Sequence, residues 1–282
     1  MMTMKFAVRA SSVIAALTIV TSAYAADLAA QPSYKAGPVP VQTWTGAYIG
    51  GTAGYGWGDS NSTIAPVDTL IAPSLFSQGL VPTSLNPRFK GFIGGGEVGY
   101  NWQFGHWVTG LEADFSYSGL RGDASNFVPL AGANPAMLTS QSTELAWFGT
   151  ARARMGYLAG PDTLLFATGG LAYGQVKVST GVVPQVSPLL PCTISGYCSS
   201  GSTSETRVGW AVGGGVETKI ASGWTAKVEY LHFDLGSVSD TAYGTSITVL
   251  NGVPLVRATS DIAGDIVRVG VNYQFGGAGV AY

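Results

Sequence analysis

The final part of the chain alternates without a break. From Ile266 to Phe275, Val267, Val269, Val271, Tyr273 and Phe275 hold the odd positions, and Arg268, Gly270, Asn272 and Gln274 hold the even positions between them. A strand points successive side chains to opposite faces, so this segment has one apolar face and one polar or glycine face. The pattern recurs and predicts eight strands. The first, Thr45 to Trp57, sets Ala47, Ile49, Ala53, Tyr55 and Trp57 against mostly glycine. The second, Phe89 to Phe104, sets Val98, Tyr100, Trp102 and Phe104 against Glu97, Gly99, Asn101 and Gln103. In the third, Trp107 to Ser118, Leu111, Ala113, Phe115 and Tyr117 oppose Gly110, Glu112, Asp114 and Ser116. The fourth spans Glu144 to Tyr157, with Arg152 and Arg154 on the polar face. The fifth, Leu164 to Gln175, carries too little polarity to fix its facing. The sixth, Arg207 to Ile220, carries Arg207, Glu217 and Lys219 on the polar face, and the seventh, Trp224 to Phe233, carries Lys227 and Glu229. The eighth ends at Phe275.

The connections alternate in length. Gly105-His106, 158–162 and 221–223 are tight turns, whereas 59–88, 119–143, 176–206 and 235–264 are long. Short turns on one side and long loops on the other predict an all-β fold, an eight-stranded antiparallel up-and-down transmembrane β-barrel with periplasmic turns and extracellular loops. About ten residues at roughly 3.3 Å rise and 40° tilt cover about 25 Å, the height of an outer-membrane apolar band.

Alternation alone also fits a soluble barrel with its apolar face inward. Three features place lipid outside. Aromatics sit at strand ends (Trp44, Trp57, Trp102, Phe104, Trp107, Tyr157, Trp224, Phe275), as interfacial girdles require. The polar face is rich in glycine, which suits a narrow lumen. That face also carries acids, Glu97, Glu112, Asp114, Glu217 and Glu229, nearly matched by the bases Arg152, Arg154, Arg207, Lys219, Lys227 and Arg268. Matched charges can pair inside a closed lumen and fill it.

The start of the chain reads as a secretory leader. Lys5 and Arg9 precede the apolar run Val13 to Val20, and Ala23-Tyr24-Ala25 fits the small-x-small cleavage rule, so cleavage is expected after Ala25. The run is too short to span a membrane as a helix, which needs about 20 residues. Residues 26–43, with Pro32, Pro38 and Pro40, read as an extended periplasmic linker, 44–275 as the barrel and 276–282 as a tail. The composition, 46% hydrophobic and 11% charged with 40 glycines, is poor in charge for a secreted soluble protein. Loss of Lys5 and Arg9 from 14 bases leaves 12 against 16 acids, scattered singly, so no nucleic-acid surface is expected.

Gly91-Phe92-Ile93-Gly94-Gly95-Gly96-Glu97-Val98-Gly99-Tyr100-Asn101-Trp102-Gln103, Gly110-Leu111-Glu112-Ala113-Asp114-Phe115 and Val269-Gly270-Val271-Asn272-Tyr273-Gln274-Phe275 resemble the alphaproteobacterial outer-membrane surface-antigen family, eight-stranded barrels of the OmpA-like and opacity-like class. The resemblance covers the strands from about residue 44 to 275. It implies a role in envelope integrity and surface interaction, sometimes as a porin or haemin binder. It also implies that Tyr273 and Phe275 form the aromatic signal read by the barrel assembly machinery, although residues 276–282 follow them here.

Chemical motifs are sparse, and no catalytic, cofactor or metal residues are assigned. Gly94-Gly95-Gly96 and Gly213-Gly214-Gly215 lie within strands, where a phosphate loop would need a helix start. His232, Asp234 and Ser237 could form an acyl-transfer set, but no nucleophile motif accompanies them. Cys192 and Cys198 are expected to form one disulfide in an exported chain, a local stiffening of about 2 kcal/mol. Asn251-Gly252 predicts a hairpin that carries the last two strands above the membrane. The first long loop, with Ile64, Leu70, Ile71, Leu75, Phe76, Leu80 and Val81, is apolar enough to cap the barrel, pack on other loops or meet a partner. Expected partners are outer-membrane lipid and lipopolysaccharide, the assembly machinery and an extracellular ligand of the loops. The leading functional expectation is a non-catalytic envelope and surface protein. A passive small-solute channel or haemin-binding surface protein is the alternative, and an outer-membrane enzyme ranks third.

Overall fold

Eight long strands close into a ring in the computed structural model, which describes residues 41–129, 136–185, 198–245, 251–275 and 278–279. They are β1 (Gly46–Pro66), β2 (Arg88–Phe104), β3 (Trp107–Val128), β4 (Met137–Leu158), β5 (Thr163–Pro184), β6 (Ser199–Ala221), β7 (Trp224–Gly244) and β8 (Pro254–Gln274). Each pairs antiparallel with the next, and β8 closes on β1 in unbroken register from Val256↔Pro66 to Gln274↔Tyr48. A two-residue strand, Ser84–Leu85, adds beside β1, and Ala278–Gly279 pairs with Val41–Gln42. The expected leader and most of the linker and tail lie outside the described residues.

The tight turns form where expected. Gly105 and Gly223 adopt φ of +62° and +75°, the left-handed conformation that a two-residue hairpin turn demands and a side chain resists. Three of the long loops are shorter than the sequence suggests, because more than half of their residues are strand, whereas 67–83 of the first stays outside the strands. Twenty-two residues in β3 rise roughly 55 Å along the barrel axis at about 3.3 Å per residue and 40° tilt, about twice the apolar band. The barrel therefore continues far above the membrane on all strands but β2, not on the last hairpin alone.

The membrane surface is marked by a reversal of the alternation. In β3 Phe115 and Tyr117 point outward and exposed, while further along Leu120 is buried inward and Arg121 is exposed. A register shift between Tyr117 and Leu120 lies at this reversal. In β7 the outward Tyr230 is followed by the buried inward Leu231, Phe233 and Leu235, and in β8 the outward Val267 is preceded by the buried Ile266 and Ile262. Below the reversal lipid touches apolar side chains. Above it water touches Asp59, Arg121, Asp123 and Asp261, and the apolar side chains turn inward.

The lumen is filled in layers. Trp44, Val108, Leu158, Leu164 and Phe166 form an apolar floor near the periplasmic turns. The charged belt lies above it. A second apolar layer, built around Ile93, Leu120, Phe148, Leu231, Phe233 and Ile266, sits at the reversal. Hydroxyl and amide groups follow, with Ser62 and Ser260 at 2.6 Å and Gln141 Nε2 donating to Ser260 at 2.9 Å. At the mouth, the first loop folds inward and caps the barrel. Asp68 accepts hydrogen bonds from the amides of Leu70, Ile71 and Ala72 and so organises the start of the short helix α1 (Ala72–Ser77). Leu75, Leu80 and Val81 then pack with Ile64, Met137, Val182 and Leu255. Burial of each such side chain stabilises the cap by about 1.5–3 kcal/mol. Of the three roles open to this apolar loop, the cap is the one observed, and Leu70 alone stays fully outside.

The layers settle two points of facing. In β5, whose facing was undetermined, Leu165 and Leu171 point to lipid and Leu164, Phe166, Ala172 and Val176 point inward at the two apolar layers. Trp44 does not join the girdle. It is buried in the floor, with Lys219 Nζ 5.1 Å above its ring.

Candidate functional site in the barrel lumen

Nine of the eleven expected lumen charges meet in one buried belt. Glu97 comes from β2, Glu112 and Asp114 from β3, Arg152 and Arg154 from β4, Glu217 from β6, Lys227 and Glu229 from β7, and Arg268 from β8, each at most 4% exposed. All have inward parity at the middle of the apolar band.

Their contacts join neighbouring strands, as Glu112 with Arg152 and Glu229 with Arg268, and also reach across the lumen. Arg152 pairs with Glu112, with Asp114 at 3.2 Å and with Glu229 of the facing wall at 2.6 Å. Arg154 reaches Glu217 at 2.6 Å, and its guanidinium carbon stands 4.3 Å from the ring centre of Phe166. Lys227 bridges Glu97 at 2.7 Å and Glu112 at 3.0 Å. Arg268 holds Glu229 at 2.7 Å and Asp114 at 3.0 Å. Buried charges need such multiple partners, because desolvation costs several kcal/mol per ion and a single pair seldom offsets it. Glycine makes room for these stems: a Cβ on Gly54 would lie 2.4 Å from Val267 O and 2.7 Å from Arg268 Cβ.

Two expected members are not in the belt. Arg207 has the right parity but lies in β6 above the reversal, where its partly exposed side chain is 3.5 Å from Glu205. Lys219 lies below, half-buried over Trp44. The belt therefore holds five carboxylates against four cations, not five against six. Tyr48 is the member that the sequence pattern did not reveal. It points inward from β1, donates to Glu112 at 2.7 Å and accepts from Arg154 at 3.2 Å. Its parity opposite Ile49 was the available signal, masked by the glycines around it.

The other candidates do not assemble. Asp265, rather than Asp234, pairs with His232, Nδ1 to Oδ1 at 2.9 Å, and it also accepts from Tyr230 at 2.6 Å. Asp234 accepts from the Gly236 amide, and Ser237 donates to Asp261. The expected acyl-transfer set is thus split over three separate contacts. Both glycine triplets continue as strand. Among the described residues, no group of three or more His, Cys, Asp or Glu could hold a metal ion. Cys198 is buried, and Cys192, the other half of the expected disulfide, lies outside the described residues. Tyr273 and Phe275 face lipid at the lower girdle, their rings 5.1 Å apart, and Trp224 meets Tyr273 edge-on at 5.1 Å.

The family model for the outer membrane protein beta-barrel domain matches residues 13–275. The chain belongs to this family. The 31 kDa outer-membrane immunogenic protein of Brucella melitensis biotype 1 is 36% identical over 258 residues, which cover 90% of this chain and 94% of the relative. The 22 kDa outer membrane protein of Rhizobium leguminosarum bv. viciae is 30% identical over 198 residues, 70% of this chain and 67% of the relative. Among solved structures, the outer membrane protease OmpT from Escherichia coli aligns with a TM-score of 0.41 and 11% identity over 81% of this chain and 97% of its own. This member of the outer-membrane β-barrel family thus resides in the outer membrane of a Gram-negative bacterium, has relatives named outer-membrane immunogenic proteins, and carries stacked apolar and charged layers in its lumen.

Proposed function

We propose that the protein is a non-catalytic component of the cell envelope that stabilises the outer membrane and presents its extracellular barrel and cap for surface interaction. The observation that supports this most is the layered lumen: an apolar floor, a paired charge belt, a second apolar layer and a cap leave side chains where a channel would need water. In an eight-stranded barrel the interior is just wide enough for side chains to fill it. The strand extensions put polar outward residues well above the headgroups, which is the surface a partner outside the cell would meet. Relatives named for immunogenicity fit that exposure. In this reading lipid and lipopolysaccharide surround the girdles, and Tyr273 and Phe275 serve the assembly machinery.

The test is a comparison of a strain lacking the gene with its parent. Deletion is expected to raise sensitivity to bile-salt detergent several-fold while uptake of a small sugar stays unchanged, and the full-length gene should restore resistance. Slower sugar uptake with intact detergent resistance would overturn the proposal in favour of a channel.

A further inference from the structure

The glycines of β1 and β2 answer to different constraints on the two faces of the wall. Inward, a Cβ on Gly50 would lie 1.8 Å from Asn272 Oδ1, so only glycine fits. Outward, a Cβ on Gly51 would find its nearest atom at 3.8 Å, on Gly96 at 3.6 Å and on Gly119 at 3.4 Å. Packing does not demand glycine at Gly51 or Gly96, and a strand glycine, which weakens the strand, leaves room for close approach of a ligand. Gly94 and Gly119 with Ala53 line an apolar groove of about 700 Å³ beside Tyr55, Phe92 and Tyr117, which continues past Val269 into a second of about 600 Å³ lined by Gly51, while Gly96 lines a separate one of about 320 Å³.

The top of the groove is charged. Trp57, Lys90 and Arg121 occupy one rung across β1, β2 and β3, all outward, at the depth where the apolar band gives way to water. Like charges directly opposite each other on a sheet repel. The nearby acids relieve this only in part. Glu144 pairs with Arg121 at 2.6 Å, Asp59 with the exposed Arg88 at 3.4 Å, and Asp265 beyond Trp57 is engaged by Tyr230 and His232. Lys90 makes no ion pair among the described residues.

We propose that this face seats one phosphorylated, multiply acylated lipid of the outer leaflet, its phosphate held between Lys90 and Arg121 and an acyl chain lying in the groove over Gly94 and Gly51. A cation pair at headgroup depth above a chain-wide apolar groove is complementary to such a lipid at both ends. A second copy of the chain fits less well, because a two-fold contact through this face would bring the same cations together.

Purified full-length protein in dodecylmaltoside micelles would be titrated with bisphosphorylated lipid A and, separately, with phosphatidylcholine, and bound lipid counted by native mass spectrometry. One lipid A is expected to be retained at least about tenfold more tightly than phosphatidylcholine. The K90Q/R121Q double variant should lose about tenfold in lipid A affinity, and Gly51→Leu, whose Cβ meets no clash, should lose a similar factor for either lipid. Val208→Leu on the lipid face of β6 should change nothing. Equal retention of both lipids, or equal binding by wild type and K90Q/R121Q, would overturn the proposal. So would a dimer that Gly51→Leu dissociates while lipid A binding persists.

Discussion

Arg152→Ala is expected to lower the stability of the folded barrel by about 3–5 kcal/mol, the loss typical when one partner of a buried ion pair is removed. Its guanidinium is fully buried and joins Glu112, Asp114 and Glu229 across the lumen. Truncation leaves three carboxylates in a water-poor layer with Lys227, Arg268 and, 3.7 Å from Glu112, Arg154 near them, in a belt that already holds one carboxylate more than its cations. Arg207→Ala removes the same side chain from a partly exposed position beside Glu205 and should stay within about 0.5 kcal/mol. Urea unfolding in lipid vesicles, followed by tryptophan fluorescence, separates the two. Similar midpoint shifts for both would mean that the belt does not carry the charge pairing described.

The second large effect is expected on the outer face of β3. Leu111→Arg places a charge against lipid near mid-band and should cost about 2–4 kcal/mol. Ser125→Arg, on the same face of the same strand but above the reversal, meets water and should stay within about 0.5 kcal/mol. The same unfolding experiment decides it. A comparable cost at both positions would place the upper half of β3 in lipid, and no cost at 111 would invert the facing.

Within the apolar band the fold was legible, because lipid outside and paired charge inside hold one alternation from end to end: Leu111, Ala113 and Phe115 out, Glu112 and Asp114 in. The strands were cut short at the reversal. Beyond it the outward medium is water, so Leu231, Phe233 and Leu235 take the inner face and His232 and Asp234 the outer one, and a pattern tuned to apolar-outward residues stops matching. The neighbouring apolar pairs Phe92-Ile93, Trp147-Phe148, Tyr230-Leu231 and Ile266-Val267 mark that switch in the sequence, each with one residue out and one in. Glu144 and Lys177, polar and outward above the band, show why the long loops looked longer than they are.

The charge belt was legible from parity, and its membership was not. Arg207 and Lys219 share the inward parity of Glu217, but depth along the strand decides whether an inward residue meets charge, apolar packing or the barrel mouth. Trp44 carries the composition of a girdle residue and instead lies in the floor, a choice made by the chain entering the barrel before β1. Nothing in local pattern reports that turn. The cap was legible only as excess apolarity, since Leu75 and Leu80 find their partners on β4, β5 and β8, far away in sequence.

Conductance of the purified, folded protein in planar bilayers at neutral pH tests the closed lumen most directly. No steady ion current is expected from the unmodified protein. The R152A/R154A double variant, where it folds, should also remain silent, because the apolar floor and the layer around Phe148 and Phe233 still close the path on both sides of the belt. A large, reproducible current from the unmodified protein would contradict the packed barrel and support a solute channel.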